Sequence, residues 1–314
     1  MHGSANDFTR ELAVAVEAAR RAGDRLMEHY RAGSVAVETK SDSSPVTAAD
    51  RDANAIILEV LRAAFPGDAV LSEESPDDGS ARRARSRLWI VDPLDGTRDF
   101  VARTDDFCVH VALAVGGVPT VGVVHHVTAG LTYLAVRGEG AYVEAGGEQG
   151  EGDGARSAGA ARRGLTRLRV STLAAPAQAR VGTSRLNMNP RLRRALEATG
   201  LAGRAVARGA SVKWMAVARG ELDAVVNFSA AEMEWDTCAP EVVIREAGGE
   251  VTDLDGAPLG YNQVDLARRR GSLASNGACH EAMRLLVAPH FAAGETATPD
   301  LAPTRADRDP GKAT

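Results

Sequence analysis

Over residues 8–31, Leu12, Val14, Val16, Ala19 and Leu26 recur at helical spacing among charged residues, which predicts an amphipathic helix. Polar and apolar residues alternate over 34–39, as in a strand. A second helix is expected over 47–65, with Ile56, Ile57, Val60 and Leu61 turned inward and Pro66-Gly67 as its stop. Short apolar runs at 69–71 and 88–91 read as buried strands. The stretches 109–115, 120–125, 131–136 and 141–143 form an antiparallel series, with a turn at Arg137-Gly138-Glu139-Gly140. No helix follows that Gly-X-Gly, so it is a turn rather than a dinucleotide-binding loop.

The pattern then breaks. Residues 145–164 are rich in Gly, Ala, Glu and Arg, which suits a flexible linker and a domain boundary. Beyond it, strands at 168–172, 179–183 and 224–227 are interleaved with helices at 190–199, 211–219 and 237–247. Gly200 and Gly248-Gly249 act as helix stops, and Pro240 falls in the first turns of the third helix, where a missing N–H costs little. The expected division is an α+β domain over 1–150, an α/β domain over 165–290, and a disordered tail over 291–314 that lacks bulky apolar residues.

Composition narrows the partners. With 314 residues and 44% hydrophobic content the chain can bury a sizeable core. A net charge of −5 shows no basic excess, so polymeric nucleic acid is not an expected partner. A nucleotide-sized ligand stays open, because its site needs only local charge. Cys108, Cys238 and Cys279 have no framework spacing and suit reduced thiols, and no basic-then-apolar leader follows Met1. No apolar stretch approaches the roughly 20 residues of a membrane helix. Together these features predict a cytoplasmic protein without a membrane segment.

The candidate chemistry lies where strands end. The run Trp89-Ile90-Val91 leads into Asp92-Pro93-Leu94-Asp95-Gly96-Thr97. Pro and Gly force a tight turn that aims two carboxylates and the Leu94 carbonyl at one point, and leaves the Gly96 and Thr97 amides to face an anion. In isolation such a segment also fits a plain acidic surface turn. Ser72-Glu73-Glu74-Ser75 follows one strand, and Asp236 stands before a helix, where it could equally be an N-cap. The oxygen-donor set of Glu73, Asp92, Asp95 and Asp236 suits Mg²⁺ together with a phosphate, and no Cys/His cluster competes for a softer ion.

Four segments in this order carry a resemblance: Pro45-Val46-Thr47-Ala48-Ala49-Asp50, Ser-Glu-Glu-Ser, Asp-Pro-Leu-Asp-Gly-Thr, and Trp235-Asp236-Thr237-Cys238-Ala239-Pro240-Glu241. From about residue 12 to about 288 the chain resembles the inositol monophosphatase superfamily. The last segment and Pro258-Leu259-Gly260-Tyr261-Asn262 are most similar to its 3′(2′),5′-bisphosphate nucleotidases. The resemblance implies a layered αβαβα sandwich and a Mg²⁺-dependent, lithium-inhibited phosphatase holding two to three ions, as a monomer or homodimer. It assigns Glu73, Asp92 and the Leu94 carbonyl to a first ion and Asp92, Asp95 and Asp236 to a second. Thr97 would orient an attacking water, with Asp50 directing the Thr97 hydroxyl, although Asp50 also suits the charged start of a helix.

Ser184-Arg185 and Gly209 with Lys213 resemble the substrate wall of the nucleotidases, while Leu186-Asn187 departs from the Ser-His found there. The implied substrate is a small phosphorylated metabolite, adenosine 3′,5′-bisphosphate or its 5′-phosphosulfate. Inositol, histidinol or sugar monophosphates are the alternative, and a phosphometabolite-binding regulator is the non-enzyme alternative. His125, His126 and Cys238 read as structural. Arg193-Arg194 and Arg268-Arg269-Arg270 read as solvated surface.

Overall fold

Two faces of one large sheet carry different side chains, and that difference sets the layers. The structure is a computed structural model that describes residues 7–33, 37–39, 45–146 and 164–292. The first part of the chain forms α1 (Thr9–Ala32), β1 (Val37–Thr39), β2 (Pro45–Thr47), α2 (Ala48–Ala64), β3 (Ala69–Ser72), α3 (Gly79–Arg83), β4 (Arg87–Asp95) and α4 (Thr97–Ala102). It continues through β5 (Cys108–Val115), β6 (Val118–His126), β7 (Leu131–Val136), β8 (Gly140–Ala145) and β9 (Leu165–Arg167). The remainder comprises β10 (Val181–Ser184), α5 (Pro190–Ala198), β11 (Ala205–Arg208), α6 (Val212–Ala218), β12 (Ala224–Asn227), α7 (Glu234–Glu246), β13 (Glu250–Thr252), β14 (Ser272–Ser275) and α8 (His280–Ala292).

Strands β3 to β9 lie in chain order in one seven-stranded sheet, parallel only between β3 and β4. The second sheet has the order β11-β10-β12-β14-β13, with its first three strands parallel. Odd positions of β4 and β5 (Trp89, Val91, Val109, Val111) meet Ala15, Ala19, Leu26 and Ile57 of α1 and α2. Even positions (Ile90, Cys108, Ala112, Ala114) meet Trp214 and Val217 of α6 and Cys238 and Val242 of α7. Val225 of β12 and Ala274 of β14 close over the same helices, while α5 and α8 cover the far face through Leu192, Leu196, Met283 and Val287. The result is the five-layer αβαβα sandwich that the resemblance implied.

The small even-numbered residues of β5 admit α7 closely. Gly122 on β6 takes this furthest: a Cβ there would lie 2.6 Å from the Ala239 carbonyl oxygen and 2.8 Å from Val242 Cβ.

Most predicted elements fall within one or two residues of the observed ones. The strand expected over 168–172 does not form. Leu165–Arg167 pairs with β8 instead, and Val170 then turns its N–H to the Ala247 carbonyl at the end of α7 (3.1 Å). Helix α7 begins at Glu234, three residues before the predicted start at Thr237. β2, α3, α4, β9, β11, β13, β14 and α8 were not foreseen. Residues 34–36, the linker at 147–163 and the tail at 293–314 lie outside the described residues, whereas 291 and 292, expected in the tail, belong to α8.

Candidate active site

The β4–β5 ladder is irregular between Asp92 and Asp95, which turns both carboxylates to the end of the sheet facing α7. Asp92 Oδ1 accepts the Leu94 N–H (3.0 Å) and so fixes the turn. Asp236, in the first turn of α7, accepts the Met233 N–H at Oδ2 (2.6 Å). Asp92, Asp95 and Asp236 thereby each offer an oxygen, all within 4.8 Å of one another. Glu73 follows β3, its N–H bonded to the Val91 carbonyl (3.2 Å), and its carboxyl acts electrostatically on Asp92.

Burial and the repulsion of Glu73, Asp95 and Asp236 push the Asp92 carboxyl well above the usual range. Burial, then Asp95 and Glu73, do the same to Asp236. Burial acts on Asp95 too, but His110, Lys213 and the Ser211 side chain outweigh it and bring its pKa to about 2. Buried carboxylates that repel one another are stable in charged form only with positive charge between them. An all-oxygen donor set of this kind fits a hard divalent cation.

Thr97 opens α4 behind Gly96, whose φ of +93° is of the kind that glycine adopts readily. The Thr97 hydroxyl lies 3.0 Å from Asp50 Oδ1 and 3.3 Å from the Leu94 carbonyl. Asp50 Oδ2 accepts both the N–H (2.8 Å) and the hydroxyl (2.7 Å) of Thr47. Asp50 therefore serves the start of α2 and contacts Thr97 at once, so its two sequence readings are compatible. Thr47, which sequence reasoning passed over, is signalled by its place three residues before Asp50.

A cleft of about 220 Å³ adjoins the carboxylates, lined by Asp95, Asp236, Ser211, Lys213, Asn227 and Glu232 among others. Lys213 reaches it from α6, its ammonium on the Ala210 carbonyl (2.5 Å). Arg185 pairs with Asp106 (2.6 Å), and the Gly209 N–H donates to the same carboxylate. The Ser184 hydroxyl accepts the Asn187 N–H (3.2 Å), and Leu186 is exposed. Lys213 thus stands beside the acidic cluster, while Ser184, Arg185 and Gly209 are not among the lining residues of that cleft.

Two residues of the site region escaped the sequence reading. His110 is fully buried, its Nδ1 donating to the Trp235 carbonyl (3.2 Å) and its Nε2 3.2 Å from Asp95 Oδ2. Its signal was strand parity: it lies opposite Asp92 on the α7 face of β5. Arg268 is not solvated surface as expected, but buried. It donates to the Thr237 hydroxyl (3.0 and 3.1 Å) and the Gly260 carbonyl (2.7 Å), with its guanidinium 4.5 Å over the Tyr261 ring. Tyr261 donates to Glu241 (2.6 Å), so this network fastens α7. Arg269 and Arg270 are exposed, as expected. His125 is buried against Thr132, His126 bonds the Asp105 carbonyl, and Cys238 lies in the core.

Comparison with known proteins identifies the family. Residues 7–290 match the model of the inositol monophosphatase family. A 3′(2′),5′-bisphosphate nucleotidase CysQ of Escherichia coli O157:H7 is 34% identical over 244 residues, 77% of this chain and 90% of that protein. A histidinol-phosphatase of Mycobacterium tuberculosis is 34% identical over 276 residues, covering 86% and 95%. The crystal structure of CysQ from Bacteroides thetaiotaomicron, a bacterial member of the same family, superposes with a TM-score of 0.71 at 31% identity, covering 86% of this chain and 98% of that one. The chain is therefore an enzyme of the phosphoric monoester hydrolase class, and it belongs to the inositol monophosphatase family.

Proposed function

We propose that the protein is a Mg²⁺-dependent phosphatase that removes the 3′-phosphate from adenosine 3′,5′-bisphosphate or its 5′-phosphosulfate. The observation that carries this reading is the continuity of the Asp92/Asp95/Asp236 cluster with a cleft into which Lys213 projects. Similarity to a bisphosphate nucleotidase supports it. Glu73, Asp92, the Leu94 carbonyl, Asp95 and Asp236 would hold two ions, with a weaker third sharing Glu73. Bound there, Mg²⁺ supplies charge neutralisation for the phosphoryl group and acidity for water.

The residues of the chain do the rest. Asp50, doubly held by Thr47, keeps the Thr97 hydroxyl donating toward it, so the Thr97 oxygen is left to accept a hydrogen bond from water and orient it. The backbone amides of Gly96 and Thr97 receive the reacting phosphate. Lys213 and Arg185 compensate the phosphate that stays, with Ser184 and Gly209 shaping their wall. Three buried, unpaired thiols suit action in the cytoplasm.

One observation favours a monophosphatase instead. Glu232 presents a buried carboxyl to the cleft, held by the Ser272 hydroxyl (2.5 Å), and would receive a hydroxyl or ammonium better than a second phosphate. Phosphate release should be compared at one Mg²⁺ concentration for adenosine 3′,5′-bisphosphate, inositol 1-phosphate, fructose 1,6-bisphosphate and histidinol phosphate. The nucleotide should lead in kcat/KM by about tenfold or more, the worth of one charge-assisted contact. A lead for histidinol or inositol phosphate would transfer the assignment to the monophosphatase reading.

A further inference from the structure

Residues 209–211 form a strap pressed between the two halves of the chain. The Gly209 N–H donates to Asp106 Oδ2 (2.7 Å), which also accepts Arg185 Nε (3.1 Å) and Nη2 (2.6 Å). Two residues on, the Ser211 N–H donates to Asp95 Oδ2 (2.6 Å). Ala210 between them has φ of +42°, a conformation that L-residues seldom adopt unless their surroundings impose it. There is no slack on either side. A Cβ on Gly209 would lie 2.4 Å from Asp99 Oδ1 and 2.5 Å from Asp106 Cβ, and one on Gly96 would lie 2.8 Å from Ala210 Cβ.

We propose that Asp106 is a positioning residue for the cation site: it anchors the strap so that the Ser211 N–H fixes Asp95 among Asp92 and Asp236. This rests on the cation-holding reading above, but on no choice of substrate. Asp106 is itself buried, and its carboxylate is shared by a strap amide and a wall arginine. The wall and the cation site are therefore joined through one side chain, and an anion that moves Arg185 would be felt at Asp95.

The test is Mn²⁺ binding to the substrate-free protein, followed by electron paramagnetic resonance, for the parent, Asp106→Asn, Asp106→Glu and Gly209→Ala. Asp106→Glu keeps the charge but shifts the carboxylate by one methylene, and Gly209→Ala displaces the strap without removing any charge. Each variant should bind Mn²⁺ on the order of tenfold more weakly, with an altered line shape of the bound ion, while thermal unfolding of metal-free Asp106→Asn and Asp106→Glu stays cooperative. Parent-like affinity and line shape in Asp106→Glu would overturn the proposal, even if Asp106→Asn were weakened, because charge alone would then explain the effect. A parent protein that fails to bind Mn²⁺ would sink the cation site itself, which is a separate outcome.

Discussion

At the residue scale, the site is a set of groups held against their own preference. Asp92 is buried among three other carboxyls, and its pKa lies well above the ordinary carboxylate range. Between pH 3.8, the ordinary aspartate value expected in the unfolded chain, and that raised value, the folded metal-free protein holds a proton that the unfolded chain has lost. Stability of the metal-free protein therefore falls as pH rises through this window. Asp92→Asn removes the penalty and retains an oxygen to accept the Leu94 N–H. The metal-free variant should melt higher than the parent at neutral pH, by a margin that shrinks on acidification, while turnover falls by roughly two to four orders of magnitude. A lower melting temperature for the metal-free variant, read by calorimetry at pH 7.5 and 5, would contradict this picture of the cluster.

Much of this was legible from residue type and spacing. Asp92 and Asp95 flank a Pro, lie before a Gly, and follow an apolar run, so the chain itself announces a turn lined with carboxylates. Asp50 and Thr97, 47 positions apart, could be joined only through the family resemblance, and the structure does place them 3.0 Å apart. His110 and Arg268 were not legible. A histidine in an apolar strand and an arginine in a run of three look like core and surface until the opposing helix is in place.

At the scale of elements, period-two alternation in β5 and β6 and the helical spacing of α1 and α2 located the elements, because each buries one face against a neighbour. The strand expected at 168–172 failed for a related reason. Leu168 and Val170 do alternate inward, but Val170 hydrogen-bonds to the end of α7 rather than to a strand. The short strands β11, β13 and β14 carry too few residues for a period to emerge, and pairing defines them. The contact of β6 with α7 is the element-level determinant of the site, since α7 carries Asp236. Gly122→Ala should push α7 from the sheet, destabilising the protein by about 1–3 kcal/mol and lowering turnover even under conditions where the variant stays folded. Denaturant unfolding and phosphate release on the same preparation check both effects. Unchanged turnover would mean that the helix tolerates the shift without moving Asp236.

Across the whole molecule, the site exists only because the two halves of the sequence close on each other. Glu73, Asp92 and Asp95 arrive from the ends of β3 and β4, Asp236 from α7, and Ser211 from the strap before α6, so no single segment holds the cluster. Among the described residues no helix is long and apolar enough to cross a membrane. The sequence motifs pointed to these carboxylates because carboxylates at strand ends are local features. The way the halves register was not local, and it depends on contacts such as Gly122 with Ala239 and Asp106 with Gly209.

The most direct test of the central claim is phosphate release from adenosine 3′,5′-bisphosphate by protein stripped of metal, measured across a Mg²⁺ titration and again in excess EDTA. Release should be absent in EDTA, rise with Mg²⁺ as the Asp92/Asp95/Asp236 site fills, and remain near background at every Mg²⁺ concentration in Asp95→Asn. Undiminished release in excess EDTA would contradict a cation-dependent site built on these carboxylates.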